Sequence, residues 1–215
     1  PEFKVHRIME KSEKEMLESV LESEGDFSVS QKDRDSKEKP PLNFDLTSLQ
    51  REANNMWSWS ARRTLSVAQE LYDTHKLTTY PRTDSRHLPE DMMEEISKTI
   101  RKLGAQDKLN PHSERLVKDG LKNVKRNFDN AKVSDHFAII PTGKIPTGSM
   151  SADAAKLYDL IARQFLASFH PESVWKVEKR TAEKQGQSFI KEARSLSTPG
   201  WRAVRPKNQS LPDGW

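Results

Sequence analysis

Three observations predict an α+β fold in which a helical domain is inserted between two halves of a β-rich one. Apolar residues alternate with polar ones near both ends of the 215-residue chain. Between them, long stretches repeat their apolar residues at helical spacing. A wholly polar stretch, 31–39, runs into Pro40-Pro41 and separates the first β-type segment from the helices, as a linker or loop would.

The elements follow in order. Residues 3–8 (Phe3, Val5, Ile8 between polar residues) read as a short strand. Residues 11–23 place Met16, Leu17, Val20 and Leu21 on one face of an amphipathic helix. Phe27 and Val29 mark a second strand over 26–30. Thr47 and Ser48 are suited to cap a helix over 49–57, buried through Leu49, Ala53 and Met56. After a break at Ser58-Trp59-Ser60, a second helix repeats Leu65, Ala68, Leu71 and Tyr72. Two helices so joined suit a helix-turn-helix or any other helical hairpin. Pro89, Glu90 and Asp91 open a third helix with Met92, Met93, Ile96 and Ile100 inside. A weaker helix is expected over 111–122 and a loop over 143–148. Ser151 caps a strong helix carrying Ala154, Leu157, Tyr158, Ile161, Phe165 and Leu166, which stops near His170-Pro171. Period two returns over 174–182 and 188–193, and Trp201, Ala203 and Val204 suggest a last strand.

Hydrophobic residues make up 33% and charged residues 32%, so the core is modest and the surface wet. Without cysteine, disulfide frameworks and thiolate zinc sites are excluded. No run suits a membrane span or signal peptide, which makes a cytoplasmic location the expectation. The net charge of +4 is mild but uneven. Residues 10–38 carry ten acids and five bases, whereas residues 101–132 carry nine bases and four acids. The basic stretch suits either a phosphate polymer or a solvated helix face.

The chemistry gathers in Thr78-Thr79-Tyr80-Pro81-Arg82-Thr83-Asp84-Ser85 and in Asp135-His136-Phe137-Ala138-Ile139-Ile140-Pro141-Thr142. A phenol near pKa 10 is a weak nucleophile at neutral pH unless a cation favours its phenolate. Arg82 lies two residues from Tyr80, and a guanidinium also pairs with the non-bridging oxygens of a phosphodiester. Pro81 restricts the backbone between them. Thr83 and Ser85 can donate to phosphate or to the turn itself, and Asp84 can act in a site or cap a helix. His136 can contact phosphate and move a proton, or pack in the core beside Phe137. On residues alone Tyr80 is either a nucleophile or a turn tyrosine.

The first motif resembles the active-site signature of type IA DNA topoisomerases, especially the bacterial topoisomerase III branch. Residues 44–53 (Phe-Asp-Leu-Thr-Ser-Leu-Gln-Arg-Glu-Ala), 135–142 and 151–158 (Ser-Ala-Asp-Ala-Ala-Lys-Leu-Tyr) follow the family's order and approximate spacing. The resemblance covers about residues 40–204, with Phe137 where many relatives carry a polar residue. It implies that Tyr80 attacks single-stranded DNA to leave a 5′-phosphotyrosyl link, without ATP, with Arg82 and His136 as the other catalytic residues. Thr83, Asp84, Ser85, Arg62 and Arg63 are the expected DNA contacts.

The resemblance also implies a winged-helix-like, tyrosine-bearing domain at 46–170. Residues 1–45 and 171–215 would be two parts of a β arch. The family's magnesium belongs to a TOPRIM domain not recognisable here, so this chain, which opens in a strand without an initiator Met, is expected to be an internal piece. Its partners would be single-stranded DNA and the parent's remaining domains, and alone it would be inactive. The alternative function is a non-catalytic single-stranded nucleic-acid-binding module.

Overall fold

The computed structural model describes residues 10–146, 148 and 150–205. The strand expected at 3–8 lies outside them. The described chain forms two compact units, one built from residues up to Glu38 with Ser173–Pro199, the other from Lys39–Glu172 with the chain from Gly200 onward. The sequence division fell at 45/46 and 170/171. No helix among the described residues is long and apolar enough to cross a membrane.

The first unit contains helix α1 (Lys11–Glu22) and a three-stranded antiparallel sheet in the order β1-β2-β3. In α1 only Val20 is buried, while Met16 and Leu21 stay exposed. Strand β1 spans Ser28–Glu38, which corrects the expectation of a loop over 31–39. Its side chains alternate no apolar pattern because nearly all face solvent. Backbone pairing to β2 (Ser173–Lys184) holds it in place, from Ser28 opposite Glu183 to Glu38 opposite Ser173. Strands β2 and β3 (Gln187–Thr198) meet at a two-residue turn. Gln185 and Gly186 both adopt positive φ there, 49° and 76°, which matches the right-handed strand twist.

The second unit holds the core. Helix α2 (Leu46–Trp57) is capped by Asp45, two or three residues earlier than the expected Thr47 or Ser48. The Asp45 carboxylate accepts from the Ser48 N–H at 2.6 Å, and the Ser48 hydroxyl oxygen accepts from the Asp45 N–H at 3.1 Å. That reciprocal pair satisfies two groups at once, so the earlier cap prevails. Ser58 in the left-handed conformation ends the helix, and the Ser60 hydroxyl caps α3 (Ala61–Asp73). Leu49 and Ala53 are buried as expected, whereas Met56 is exposed.

Helix α4 (Met93–Leu103) begins after a 3-10 turn at Glu90–Met92, later than Pro89 suggested. Helix α5 (Asn110–Asp119) stops at Gly120, whose φ is 73°, and the single turn α6 (Val124–Asn127) follows. Helix α7 (Ala152–Ser168), capped by Ser151, is central: from Leu160 to Ser168 every residue but Arg163 is buried. The expected last strand is instead a 3-10 turn, Gly200–Ala203. Gly200 has φ 51° and abuts the Glu172 backbone carbonyl, so the chain must turn there, and Trp201 and Val204 enter the core.

Candidate active site

The site rests on three stretches bound by their backbones. After α3, Lys76 turns the chain with φ 56°, and the Leu77 N–H donates to the Leu71 carbonyl at 2.9 Å. Thr79 then docks on the second motif twice. Its N–H donates to the Ile140 carbonyl at 2.9 Å, and its hydroxyl donates to the Ala138 carbonyl while accepting from the Ile140 N–H, both at 2.9 Å. Thr142 closes the far end, N–H to the Leu77 carbonyl at 3.0 Å. The third stretch joins through Ile139, whose N–H donates to the Phe44 carbonyl at 2.8 Å, and Leu46, whose N–H donates to the Thr83 carbonyl at 3.0 Å. Each bond satisfies a buried backbone group that no regular element would otherwise pair.

This lacing brings Tyr80 and His136 together, 56 positions apart in sequence. Their ring centroids are 4.4 Å apart at an interplanar angle of 45°. Tyr72, at the end of α3, also meets Tyr80, edge-on at 5.4 Å, and the Lys76 ammonium lies 5.5 Å from the Tyr72 ring centroid. Tyr80 is half-buried while His136 is exposed, so the phenol is oriented by packing but accessible. Arg82 is exposed and makes no ion pair among the described residues, which leaves its guanidinium available to an anion.

Thr83 and Ser85 are buried and engaged within the fold. The Thr83 hydroxyl donates to the His136 carbonyl, and the Ser85 hydroxyl donates to the Lys132 carbonyl at 2.7 Å while accepting from the His87 N–H at 3.1 Å. Asp84 is exposed and accepts from the Ser134 hydroxyl at 3.0 Å. No helix starts at Asp84, so the capping reading of that residue is corrected. Burial, then the neighbouring Lys132 charge, holds His87 below the usual imidazole range.

Arg62 and Arg63 are not part of this cluster. They open α3, about ten residues or roughly 15 Å of helix from Tyr72. Arg63 is taken up by Asp153 at the start of α7, at 2.6 Å, and its guanidinium lies 4.7 Å from the Trp59 ring centroid. Arg62 is exposed. Sequence reasoning assigned Tyr72 to the buried face of α3 and overlooked Lys76 and Ser134. Only the proximity of Tyr72 to the motif could have singled it out, since helical spacing says nothing about a loop folding back. Among the described residues no group of three or more His, Asp or Glu is placed to hold a metal ion, so these donors do not fit a magnesium site.

The family described as DNA topoisomerase matches residues 2–213. DNA topoisomerase 3 of Bacillus licheniformis is 39% identical over 208 residues, covering 91% of this chain and 28% of that protein. DNA topoisomerase 3 of Bacillus subtilis is 40% identical over 168 residues, covering 76% of this chain and 23% of that protein. The chain thus spans only about a quarter of these relatives' length. Full-length topoisomerase I from Thermotoga maritima shares the fold, with a TM-score of 0.64 at 24% identity over 91% of this chain and 32% of that structure. With a family match running nearly end to end, the chain belongs to the type IA DNA topoisomerases.

Proposed function

We propose that the chain supplies the nucleophile-bearing part of an ATP-independent enzyme that breaks, passes and rejoins single-stranded DNA. The Tyr80 phenol loses its proton and attacks a backbone phosphorus. A P–O bond to tyrosine forms as the P–O3′ bond breaks, and the departing 3′ oxygen takes up a proton. The result is a 5′-phosphotyrosyl link and a free 3′-hydroxyl. Reversal reseals the strand with no net change in bonds, so no nucleotide is consumed. Arg82 stabilises the phenolate and the charge that develops on the non-bridging oxygens. His136 contacts the phosphate and can relay the proton.

Asp84 and Arg62 would complete the DNA contacts, while Thr83 and Ser85 hold the loop in shape. The unit containing α2–α7 would be the winged-helix-like tyrosine domain and the sheet part of a β arch. A cytoplasmic location fits DNA as substrate. Magnesium, which the donors here do not fit, would reside in the parent's TOPRIM domain, so the chain alone is expected to bind DNA without cleaving it.

The observation that carries this reading is the 4.4 Å approach of His136 to Tyr80, on a loop with an uncommitted Arg82 beside it. The test mixes the chain with a separately made TOPRIM-containing piece, magnesium and a labelled single-stranded oligonucleotide, then denatures. A covalent adduct that disappears with Tyr80→Phe is expected. Persistence of the adduct in that variant would assign the nucleophile elsewhere. The aromatic group Tyr72-Tyr80-His136 favours a second reading, a platform on which bases stack without chemistry. Under it, no adduct forms in any mixture and salt-sensitive binding survives.

A further inference from the structure

The turn that delivers the chain from α3 to Tyr80 is made by a residue ill suited to it. Lys76 adopts φ 56°, in the left-handed region where a Cβ crowds the backbone and where glycine is the usual occupant at a helix end. Its neighbours hold the conformation. The Thr142 hydroxyl donates to the Lys76 carbonyl at 2.8 Å and the Thr142 N–H to the Leu77 carbonyl at 3.0 Å, while the Leu77 N–H donates back to the Leu71 carbonyl at 2.9 Å. None of these bonds uses the lysine side chain, and glycine would make the same turn without strain. A strained residue that its surroundings over-determine, four positions from a reactive phenol, points to a task for its side chain.

The surroundings of that side chain identify the task. Lys76 is exposed and forms no ion pair among the described residues. Its ammonium lies over the Tyr72 ring, 5.5 Å from the centroid, within the range at which a cation is drawn to an aromatic face. The half-buried Tyr72 ring meets Tyr80 at 5.4 Å and 76°, and Tyr80 meets His136 at 4.4 Å. The preceding residue, His75, is directed elsewhere, to the Glu70 carboxylate at 3.3 Å. A continuous line of contacts therefore runs Lys76–Tyr72–Tyr80–His136.

We propose that Lys76 is a positioning residue for the nucleophile: its ammonium fixes the Tyr72 ring, and Tyr72 fixes the Tyr80 ring in the orientation that meets His136. This inference deepens the reading of Tyr80 as nucleophile and rests on it. An exposed cation–π contact corresponds to a factor of about two to five in an equilibrium or a rate. Lys76 thus sharpens a geometry that the backbone bonds already set.

The experiment has two arms, both with the full chain. In the first, the chain alone carries ring-labelled tyrosine, and carbon NMR signals of its three tyrosines are assigned with Tyr72→Phe, Tyr80→Phe and Tyr158→Phe. Lys76→Gly is expected to move the Tyr72 and Tyr80 signals and to leave Tyr158 in place, while Lys76→Arg keeps all three near their parental positions. In the second arm the TOPRIM-containing piece, magnesium and oligonucleotide are added. Lys76→Gly is expected to slow adduct formation at saturating oligonucleotide about threefold, with affinity unchanged and with rescue by Lys76→Arg. The same variant should hold or raise the urea midpoint, because the turn is relieved. Ser58→Gly, which relieves a φ of 56° at the end of α2, should do likewise and leave the adduct rate unchanged. In a Tyr72→Leu background, Lys76→Gly should have no further effect on the rate.

The proposal is overturned if the Tyr80 signals stay in place in Lys76→Gly, or if the losses from Tyr72→Leu and Lys76→Gly multiply. It is equally overturned if Lys76→Gly weakens oligonucleotide binding at an unchanged saturated rate, since Lys76 would then be a phosphate contact. Absence of an adduct with the parental chain would count against Tyr80 as nucleophile, and the first arm would still decide whether Lys76 orders Tyr72 and Tyr80.

Discussion

The Thr83 hydroxyl donates to the backbone carbonyl of His136 at 3.0 Å while its oxygen accepts from the Ser85 N–H at 3.1 Å. One buried hydroxyl therefore fixes the loop that carries Tyr80 to the loop that carries His136. Thr83→Val preserves the shape but orphans both partners. It is expected to cost about 1–2 kcal/mol in urea unfolding, with Thr83→Ser costing less than half of that. Equal losses in the two variants would mean that packing of the methyl, not the bond, matters.

Arg62 and Arg63 should behave differently despite adjacency. Arg63 is held by Asp153, and an exposed pair of this kind contributes no more than about 1 kcal/mol and weakens with salt. Arg63→Gln should therefore lower stability slightly and affect oligonucleotide binding little. Arg62→Gln should leave stability unchanged and reduce the salt slope of binding by about 0.7. Anisotropy titrations of the two variants at several salt concentrations distinguish them.

His170 should impose a pH dependence on folding. Its ring is fully buried, with Nδ1–H donating to the Leu166 carbonyl at 2.9 Å and Nε2 without a partner among the described residues. Burial is the largest influence and pushes its pKa down, joined by His112 and Arg115 and opposed by the Leu166 bond and Asp119. The unfolded chain therefore takes up the proton more readily. The neutral form's contribution is fully present above the ordinary imidazole value of about 6.5 and is lost as pH falls through the lower folded-state value. Urea midpoints should drop between about pH 7 and pH 5, less steeply in His170→Gln. His112, lowered first by burial and then by Arg163 and Arg115, accounts for part of the remaining slope.

Gly200→Ala is expected to destabilise the helical unit by about 1–3 kcal/mol from backbone strain alone, because φ there is 51°. The added Cβ would also press on the Glu172 backbone carbonyl. Thermal unfolding followed by circular dichroism measures the loss.

What the sequence revealed depended on whether the signal was periodic or topological. Helix α7 was legible because Ser151 and its apolar repeat are local, and the hairpin because two alternating runs flank Gln185-Gly186. Of strand β1 only the start near Val29 was, since beyond it the residues are polar on both sides and are held by the ladder to β2 far along the chain. The 3-10 turn at Gly200–Ala203 was likewise hidden: Trp201 and Val204 fit a strand's pattern, and only Gly200's positive φ redirects them. At the site, Tyr80, Arg82 and His136 could be named from residue chemistry and resemblance. That Thr83 and Ser85 would be buried, that Tyr72 would fold against Tyr80, and that Arg63 would be occupied by Asp153 depended on contacts that spacing does not encode.

Residues 173–199 leave and return at one point, as the Ser173 hydroxyl donates to the Pro199 carbonyl at 2.5 Å and the Trp201 N–H donates to the Pro171 carbonyl at 3.0 Å. To the helical chain this excursion is a closed loop whose closure entropy grows only logarithmically with length. The hairpin is thus an adjustable reach: matched pairs of residues can be added or removed beside Gln185-Gly186, extending or shortening it without disturbing the machinery around Tyr80. A single unmatched residue, by contrast, would invert every side chain beyond it.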